Sequence, residues 1–362
     1  MKSISKAALY KRQTTLMEVG EEGQQKIADT SVLVVGCGGL GGAVAVGLAT
    51  SGIGQLHLVD FDVVTASNLH RQIFYSLDDI GVFKATCLST YIQKRAPYTK
   101  VNAFTQSLTK TNVLELIEGV DIVVDATDSL PTKYLLNDAC VIKSKPLVYG
   151  SLYKFDGYVA AFNIRQSDGT YSANLRDAFP EMATDIPTCE EAGTLNPIVS
   201  IIASLQVNEV LKISATIGSV LVNELLIYNS LQNSQLKMKV RPSVTKKEIS
   251  SIFKEQGYVD LQCELQQPEW IISSDELKRT IHDKNIVLVS VIDGLEAPFN
   301  IHHTLTLSQI KEGQFSPLEG KKYVMICKRG ITSYRATQQL KEQFPTSAIV
   351  SLIGGINDYR IK

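Results

Sequence analysis

An α/β fold built on a mainly parallel sheet is predicted by three observations. The chain carries β-branched runs without alternation, a glycine turn that joins the first of them to a helical stretch, and a regular return of strand and helix patterns along its length. "SVLVVG" (31–36) is the first run, apolar throughout, as suits a strand covered on both faces. The glycine turn leads into "GGAVAVGLATSGIG", and "QLHLVD" (55–60) supplies a second strand that ends in an acid, Asp60. Strand, glycine turn, helix and acid-ended strand together make a βαβ unit of the Rossmann-like kind. Further strands are expected at "KVNAFTQ" (100–106), "DIVVDAT" (121–127), "PLVYGSL" (146–152) and "YVAAFNI" (158–164), with helical spacing between the first three. "PIVSIIASLQVNEVLKI" (197–213) reads as a long apolar helix, and "LLIYNS" with "QLKMKV" as a closing hairpin.

After Val240 the composition changes. Residues 241–268 are polar and charged without a sustained apolar face, which predicts a linker between a first domain at 1–240 and a second at 269–362. In the second domain "IVLVSVID" (286–293), "KYVMICKRG" (322–330), the helical "SYRATQQLKEQF" (333–344) and "AIVSLIGG" (348–355) again alternate strand with helix, so a small α/β domain is expected.

With 362 residues, 44% of them hydrophobic and 20% charged, the chain has enough apolar material for a large core and is not of a disordered or fibrous type. A formal net charge of -1 gives no electrostatic reason to expect nucleic acid or an anionic membrane as partner. "MKSISKAALYKRQ" lacks the apolar core of a signal peptide, and no uninterrupted apolar run is long enough to span a bilayer, so a cytoplasmic location is expected. The six cysteines (Cys37, Cys87, Cys140, Cys189, Cys263, Cys327) never form CxxC, and the five histidines form no HxxxH or HExxH pattern. Neither a disulfide framework nor a zinc site is signalled.

Gly36, Gly38 and Gly41 form a GxGxxG turn, with Gly39 between them. Such glycines permit positive φ and close approach of a phosphate, and the following helix offers unpaired N–H groups and the positive end of its dipole. The turn by itself fits a redox dinucleotide as well as ATP. The sequence beyond it discriminates: "FDVVTASNLHRQ" brings Asp62, Asn68, Arg71 and Gln72, "DDIGVFKA" brings Lys84, and "DATDS" brings Asp128. Two cations, two amides and carboxylates suit a polyphosphate and its Mg²⁺ better than hydride transfer. An NAD(P)-dependent oxidoreductase and a non-catalytic scaffold that binds a ubiquitin-like protein remain the alternatives.

These motifs, with "YKRQ", "GCGGLGG", "NLRDAFPE" and "TCEEAGTLNPIV", resemble the MoeB/ThiF family, relatives of the ubiquitin-activating enzymes, over roughly residues 8–240. The resemblance implies adenylation of the C-terminal glycine of a ubiquitin-like sulfur carrier ending in Gly-Gly, of ThiS or MoaD type, for thiamin thiazole or molybdopterin synthesis. It implies that Asp60 holds the ribose, that Asn68, Arg71 and Lys84 hold the phosphates, and that Asp128 holds Mg²⁺. It also implies that Arg12 reaches the ATP of a neighbouring subunit, hence a homodimer. Cys189 stands where the family often has a cysteine implicated in covalent or persulfide intermediates. Many members hold a structural zinc with two CxxC pairs; "SANLRDAFPE" departs from that pattern, and zinc is expected to be absent.

In the second domain "CKRGITS" (327–333) follows a strand and precedes a helix. Amides of such a loop surround a sulfur, and Lys328 and Arg329 add positive charge, an arrangement that favours a thiolate and stabilises a persulfide on Cys327. The loop, with Gly330 and Ser333, resembles the active-site loop of rhodaneses, and "SLIGGINDY" fits the same family. The expected partner for this half is a persulfide donor such as a cysteine desulfurase. "SVIDGLEAPFN" keeps Asp293 and Glu296 but lacks the arginine usual in rhodaneses, so a docking module without activity is the alternative.

Overall fold

The apolar runs pair as their patterning predicts. In the computed structural model, which describes residues 4–182, 193–258, 267–328, 330–356 and 359 (only the backbone of Ile331), the chain divides into two compact units, Met1–Tyr258 and Val259–Lys362.

The first unit is built on eight strands: β1 (Ser31–Val35), β2 (Gln55–Val59), β3 (Lys100–Phe104), β4 (Ile122–Asp125), β5 (Leu147–Tyr153), β6 (Asp156–Phe162), β7 (Glu224–Asn229) and β8 (Ser234–Lys239). Their order is β3-β2-β1-β4-β5-β6-β7-β8. The first five run parallel and the last three antiparallel, the expected hairpin β7–β8 closing one edge. Alternate side chains of β1 serve opposite faces: Val32 and Val34 join one core with the helices Gly39–Thr50 and Asn196–Ala215, while Leu33 and Val35 join another with the helix Leu130–Lys143. Burial on both faces explains why β1 reads as a continuous apolar run.

Asn196–Ala215 is long and apolar enough, by length and composition alone, to cross a membrane. Here it packs on β5, β6 and the helix Gly39–Thr50, and it carries Gln206 and Glu209 buried on that side. Their hydrogen bonds to Asp125 O and Leu221 N–H fit a core helix.

The linker expected at 241–268 requires correction. Residues 246–255 form the helix Lys246–Glu255, capped by Thr245 and Glu248 through reciprocal hydrogen bonds. Ile249 and Phe253, four residues apart, lie buried against the helix Leu130–Lys143. Two apolar residues at helical spacing suffice to dock a short helix, and such a narrow stripe in a charged segment reads as solvent-facing. The segment is tied down further at Asp177, whose Oδ1 accepts from Ser243 N, Ser243 Oγ and Val244 N at 2.7–2.8 Å. The first unit therefore extends to Tyr258 rather than to Val240.

The second unit is a five-stranded, all-parallel sheet: β9 (Ile271–Ile272), β10 (Ile286–Ser290), β11 (His303–Thr304), β12 (Lys322–Ile326) and β13 (Ala348–Leu352), in the order β11-β10-β12-β13-β9. The three central strands and the helix Ile331–Gln343 were legible in the sequence; the two-residue edge strands were too short to show a pattern. Trp270 leads into β9 and packs its ring 6.3 Å from that of Tyr334.

Phe253→Ala should destabilise the first unit by about 3 kcal/mol, as expected for a buried aromatic truncated to alanine. Urea unfolding followed by far-UV circular dichroism measures this, with the fluorescence of Trp270, the only tryptophan and a residue of the second unit, as internal reference. An unchanged transition would restore the linker reading of this segment.

Candidate functional sites

At the carboxyl end of β1 the chain has no room for side chains. A Cβ on Gly41 would lie 1.8 Å from the carbonyl oxygen of Gly36, and one on Gly36, whose φ is +89°, would lie 2.7 Å from that of Ala126. Glycine at these two positions lets the helix Gly39–Thr50 start directly over the strand, its first N–H groups facing the sheet's carboxyl edge. A Cβ on Gly39 would meet Arg71 O at 2.9 Å, and one on Gly38 would lie 3.6 Å from Gln72 Nε2, so the turn also packs on the "NLHRQ" segment.

Asp60 fastens the turn to β2. Its Oδ2 accepts from Cys37 N at 2.6 Å and its Oδ1 from Asp62 N at 2.7 Å. Burial pushes the Asp60 carboxyl above the usual range; the positive Lys84 and the two N–H donors oppose that shift without cancelling it. Tyr75 backs the turn from below, donating to Cys37 O at 2.6 Å. The thiol of Cys37 is completely buried and its pKa pushed well up by that burial, which leaves it a packing residue.

Lys84 opens the helix Lys84–Gln93, and two contacts fold it back on Asp62: its N–H donates to Asp62 O at 2.9 Å and its Nζ to Asp62 Oδ2 at 2.8 Å. Its side chain is only 6% exposed, against 51% for Asp62. Burial alone would lower the pKa of this ammonium, yet the surrounding carboxylates Asp62, Asp60 and Asp128 leave it raised. Lys84 is therefore a cation held charged at the mouth of the glycine turn. Asn68 accepts from Arg71 at 3.0 Å and donates to Thr65 Oγ1 at 2.7 Å, which fixes the guanidinium on the same segment. Gln72 is buried, and its Oε1 has no hydrogen-bond partner among the described residues, an orphaned acceptor beside Gly38. Asp128 stands exposed beyond the end of β4.

The sequence reading missed what holds Asp128 there. Asp125, completely buried at the end of β4, accepts from Thr127 N and Thr127 Oγ1 and so folds the loop. It is paired with buried Lys133 at 3.2 Å, which also donates to Gly150 O at 2.8 Å and lies 4.9 Å from the centre of the Tyr149 ring. The available signal was a lysine inside the largely apolar helix Leu130–Lys143, since a buried ammonium requires an acid.

Glycine turn, Asp60, Asp62, Asn68, Arg71, Gln72, Lys84 and Asp128 thus converge on the carboxyl ends of the parallel strands, where α/β sheets bind ligands. Arg12 does not join them. It is exposed on Lys11–Thr14, whose Gln13 bonds Ser51 O at the far end of the helix Gly39–Thr50, about 18 Å from the turn by the rise of a twelve-residue helix. The "NLRD" segment is occupied with its own bonds: Asn174 donates N–H and Nδ2 to Asp177 Oδ2, and Arg176 forms a buried ion pair with Asp138 at 2.6 Å. Tyr258 also donates to Asp138. Cys189 lies outside the described residues.

The second unit presents a sulfur cradle. Cys327 follows β12 and is buried, and its Sγ accepts from Gly330 N at 3.1 Å and Ser333 N at 3.4 Å, with Ser333 Oγ at 3.3 Å. Gly330 adopts φ +85° ahead of the helix Ile331–Gln343, and a Cβ there would come 2.7 Å from Gly354 N of the "GG" turn. Lys328 is exposed, and Arg329 lies outside the described residues.

The sheet order and the glycine turn define a nucleotide-binding α/β unit, and comparison with known proteins narrows this. The ThiF family profile matches residues 10–249. A sulfur carrier protein adenylyltransferase of Thermus thermophilus is 41% identical over 64% of this chain and 86% of its own length. The adenylyltransferase and sulfurtransferase MOCS3 of Drosophila sechellia is 32% identical over 97% of this chain and 82% of its own. A probable adenylyltransferase/sulfurtransferase MoeZ of Mycobacterium tuberculosis is 31% identical over 98% and 93%. Among solved structures, Escherichia coli MccB in complex with MccA-N7isoASN has the same fold, with a TM-score of 0.58 at 21% identity over 67% of this chain and 74% of its own. The chain belongs to the ThiF family.

Asp125→Asn should cost about 3–5 kcal/mol, because it leaves the ammonium of Lys133 buried without its partner. Pairing it with Lys133→Met should recover most of that loss. Urea unfolding of both variants measures this, and a double variant as unstable as the single one would show that the pair is not the source of the cost.

Proposed function

We propose that this chain is an adenylyltransferase and sulfurtransferase acting on a ubiquitin-like sulfur carrier that ends in Gly-Gly. The observation that carries the reading is the charged Lys84, buried beside the glycine turn among Asp60, Asp62 and Asp128. A carboxylate is already a nucleophile, so adenylation requires no general base. It requires an oriented phosphate chain and cations to meet the charge that develops on it.

The N–H groups of the glycine turn and of the following helix cradle the phosphates of ATP, and Arg71 and Lys84 neutralise them. Asp60, held by two backbone N–H groups, turns toward the ribose, and Gln72 Oε1 offers a free acceptor next to it. Asp128 is an exposed carboxylate suited to the Mg²⁺ that accompanies ATP, since that ion takes one or two protein carboxylates and fills its remaining positions with water and phosphate oxygens. The carrier's terminal carboxylate attacks the α-phosphorus, the bond to the β-phosphate oxygen breaks, and pyrophosphate leaves. The resulting acyl-adenylate is activated toward sulfur.

Cys327 then supplies the nucleophile. Its persulfide, loaded from a donor such as a cysteine desulfurase, attacks the acyl carbon and expels AMP, which forms an acyl disulfide. A second thiol attacks Cys327 Sγ and releases the thiocarboxylate, leaving a disulfide. Thiamin thiazole and molybdopterin synthesis are the pathways that consume such a product, and free thiols of this kind suit a reducing compartment such as the cytoplasm.

The site is completed by a second copy of the chain. Arg12 is too far from its own glycine turn to reach a nucleotide there. Phe61, Ile73, Leu77, Ile80, Val82 and Phe83 are exposed within one short segment beside the site, apolar surface that dimerisation would cover.

ATP–pyrophosphate exchange tests adenylation. It should require a Gly-Gly-ending carrier and Mg²⁺, fall about 100-fold or more in Asp128→Ala and Lys84→Ala, and survive in Cys327→Ser. Exchange with none of several carriers would remove the adenylation reading. The dimeric site is tested by coexpression of Arg12→Ala with Lys84→Ala chains. If Arg12 serves the neighbouring subunit, mixed dimers regain one intact site and the preparation shows about a quarter of native exchange. Activity no higher than that of either single variant would place Arg12 elsewhere.

A further inference from the structure

Behind the sulfur cradle of the second unit lies a polar chain that the loop alone does not require. Ser333 and Ser351 are both completely buried. Ser351 Oγ, on β13, is 2.9 Å from Ser333 Oγ, and Ser333 Oγ is 3.3 Å from Cys327 Sγ. Ser351 Oγ also lies 3.4 Å from Gly330 O. The nearby hydroxyl of Thr337 is spent on Ser333 O at 3.0 Å and does not compete.

Counting hydrogens along this chain gives two complete arrangements. Each hydroxyl has one hydrogen to donate and can accept in turn. With Cys327 as a thiol, the chain runs away from the sulfur: Sγ–H to Ser333 Oγ, the Ser333 hydroxyl to Ser351 Oγ, and the Ser351 hydroxyl to Gly330 O. Once the proton has left to solvent the sulfur can only accept, and the chain runs toward it: the Ser351 hydroxyl to Ser333 Oγ, and the Ser333 hydroxyl to Sγ. Among the described residues the anion then receives three hydrogens, two from amides and one from Ser333. No buried hydroxyl hydrogen lacks a partner in either arrangement.

We propose that Ser351 is a positioning residue for Cys327: acting through Ser333, it turns the Ser333 hydroxyl hydrogen onto the sulfur when the sulfur is anionic. The chemistry favours the anionic arrangement because hydrogen bonds to charged groups are stronger than neutral ones and because a donor behind a donor strengthens it. Ser351 does not touch the reacting sulfur, and its effect passes only through the Ser333 oxygen. The proposal rests on the reading above that Cys327 carries sulfur. Among the described residues, titratable groups on the elements around the sulfur are Lys328 in the loop, Tyr334, Arg335, Lys341 and Glu342 in the following helix, Lys322 and Tyr323 on β12, and Asp293 and Glu296 after β10. The Tyr334 and Tyr323 hydroxyls accept from Gln267 N and Leu318 N. Neither β10 nor β13 carries a titratable side chain.

The test is the pH profile of iodoacetamide alkylation of Cys327 in the full chain, read by mass spectrometry of the peptide that contains it. In Ser351→Ala the profile should move to higher pH, with alkylation about twofold to threefold slower below the midpoint and the high-pH plateau unchanged. Ser351→Cys, which keeps the shape of the side chain, slightly enlarged, but replaces the hydroxyl by a weak hydrogen-bonding thiol, should shift the same way. In a Ser333→Ala background Ser351→Ala should add nothing. A profile identical to native in both Ser351 variants, a shift in Ser351→Ala that Ser351→Cys abolishes, or an equal shift with and without Ser333 would overturn the proposal. Incubation of the native chain with thiosulfate, scored by the gain of one sulfur on the Cys327 peptide, separately tests the sulfur-carrying reading. If no sulfur is gained while the alkylation profile still shifts, that reading fails and the role of Ser351 stands.

Discussion

The first unit depends on one close approach. The helix Gly39–Thr50 can begin over β1 only because Gly41 presents no side chain to the Gly36 carbonyl, which would stand 1.8 Å from a Cβ there. The turn's relation to its neighbours follows from this contact. It sets the helix's first N–H groups at the carboxyl edge of the sheet, and it brings Cys37 N within reach of Asp60, so that the end of β2 and the turn after β1 become one rigid piece. It also leaves the turn open to the "NLHRQ" segment, whose backbone packs against Gly39.

An electropositive turn would attract any anion, and the charges around it explain why the arrangement suits a polyphosphate. Lys84 is buried and would shed its proton in an apolar site, but Asp62, Asp60 and Asp128 keep it charged. Asp60 bears the opposite cost, a carboxylate pushed toward its neutral form by burial and sustained by two backbone donors and the same lysine. The groups support one another, so removing any one disturbs the others. Deeper in the sheet Asp125 and Lys133 repeat the device as a closed pair that shapes the loop carrying Asp128.

Much of this was legible before any coordinates. Strand order could not be read, but the identity of every strand of the first unit could; in β1 and β4 both faces are covered and the sequence loses alternation, while outer strands such as β3 were marked by β-branched and aromatic residues between turn signals. Gly36 and Asp60 stood out because they end strand runs, and Lys84 and Asp128 because "DDIGVFKA" and "DATDS" add a cation and a carboxylate to the glycine turn. What escaped notice were residues whose role is defined only by partners distant in sequence. Asp125 looks like the end of a strand until Lys133 and Thr127 are seen on it. Asp177 looks like a helix cap until Ser243 and Val244 close on it. The helix Lys246–Glu255 looked like linker because only two of its residues are buried apolar ones. Ser351 looked like filler in "AIVSLIGG" because a serine on a buried strand announces nothing until its acceptor is known.

The two units meet the same problem, holding an anion with backbone donors ahead of a helix, and solve it differently because the anions differ. A polyphosphate spreads several charges over many oxygens, more than a turn's N–H groups can balance, so the first unit adds Lys84 and Arg71 and pays for them with carboxylates. A thiolate concentrates one charge on one soft atom. Among the described residues two amides and a hydroxyl meet it, and a fixed cation buried beside it would have to be compensated in turn. A hydroxyl has an advantage no lysine shares: it can accept from the thiol before the proton leaves and donate to the sulfur afterwards. The chain from Ser351 through Ser333 is therefore matched to a sulfur that must be neutral in one step and anionic in the next, whereas the phosphate site faces a ligand whose charge persists throughout.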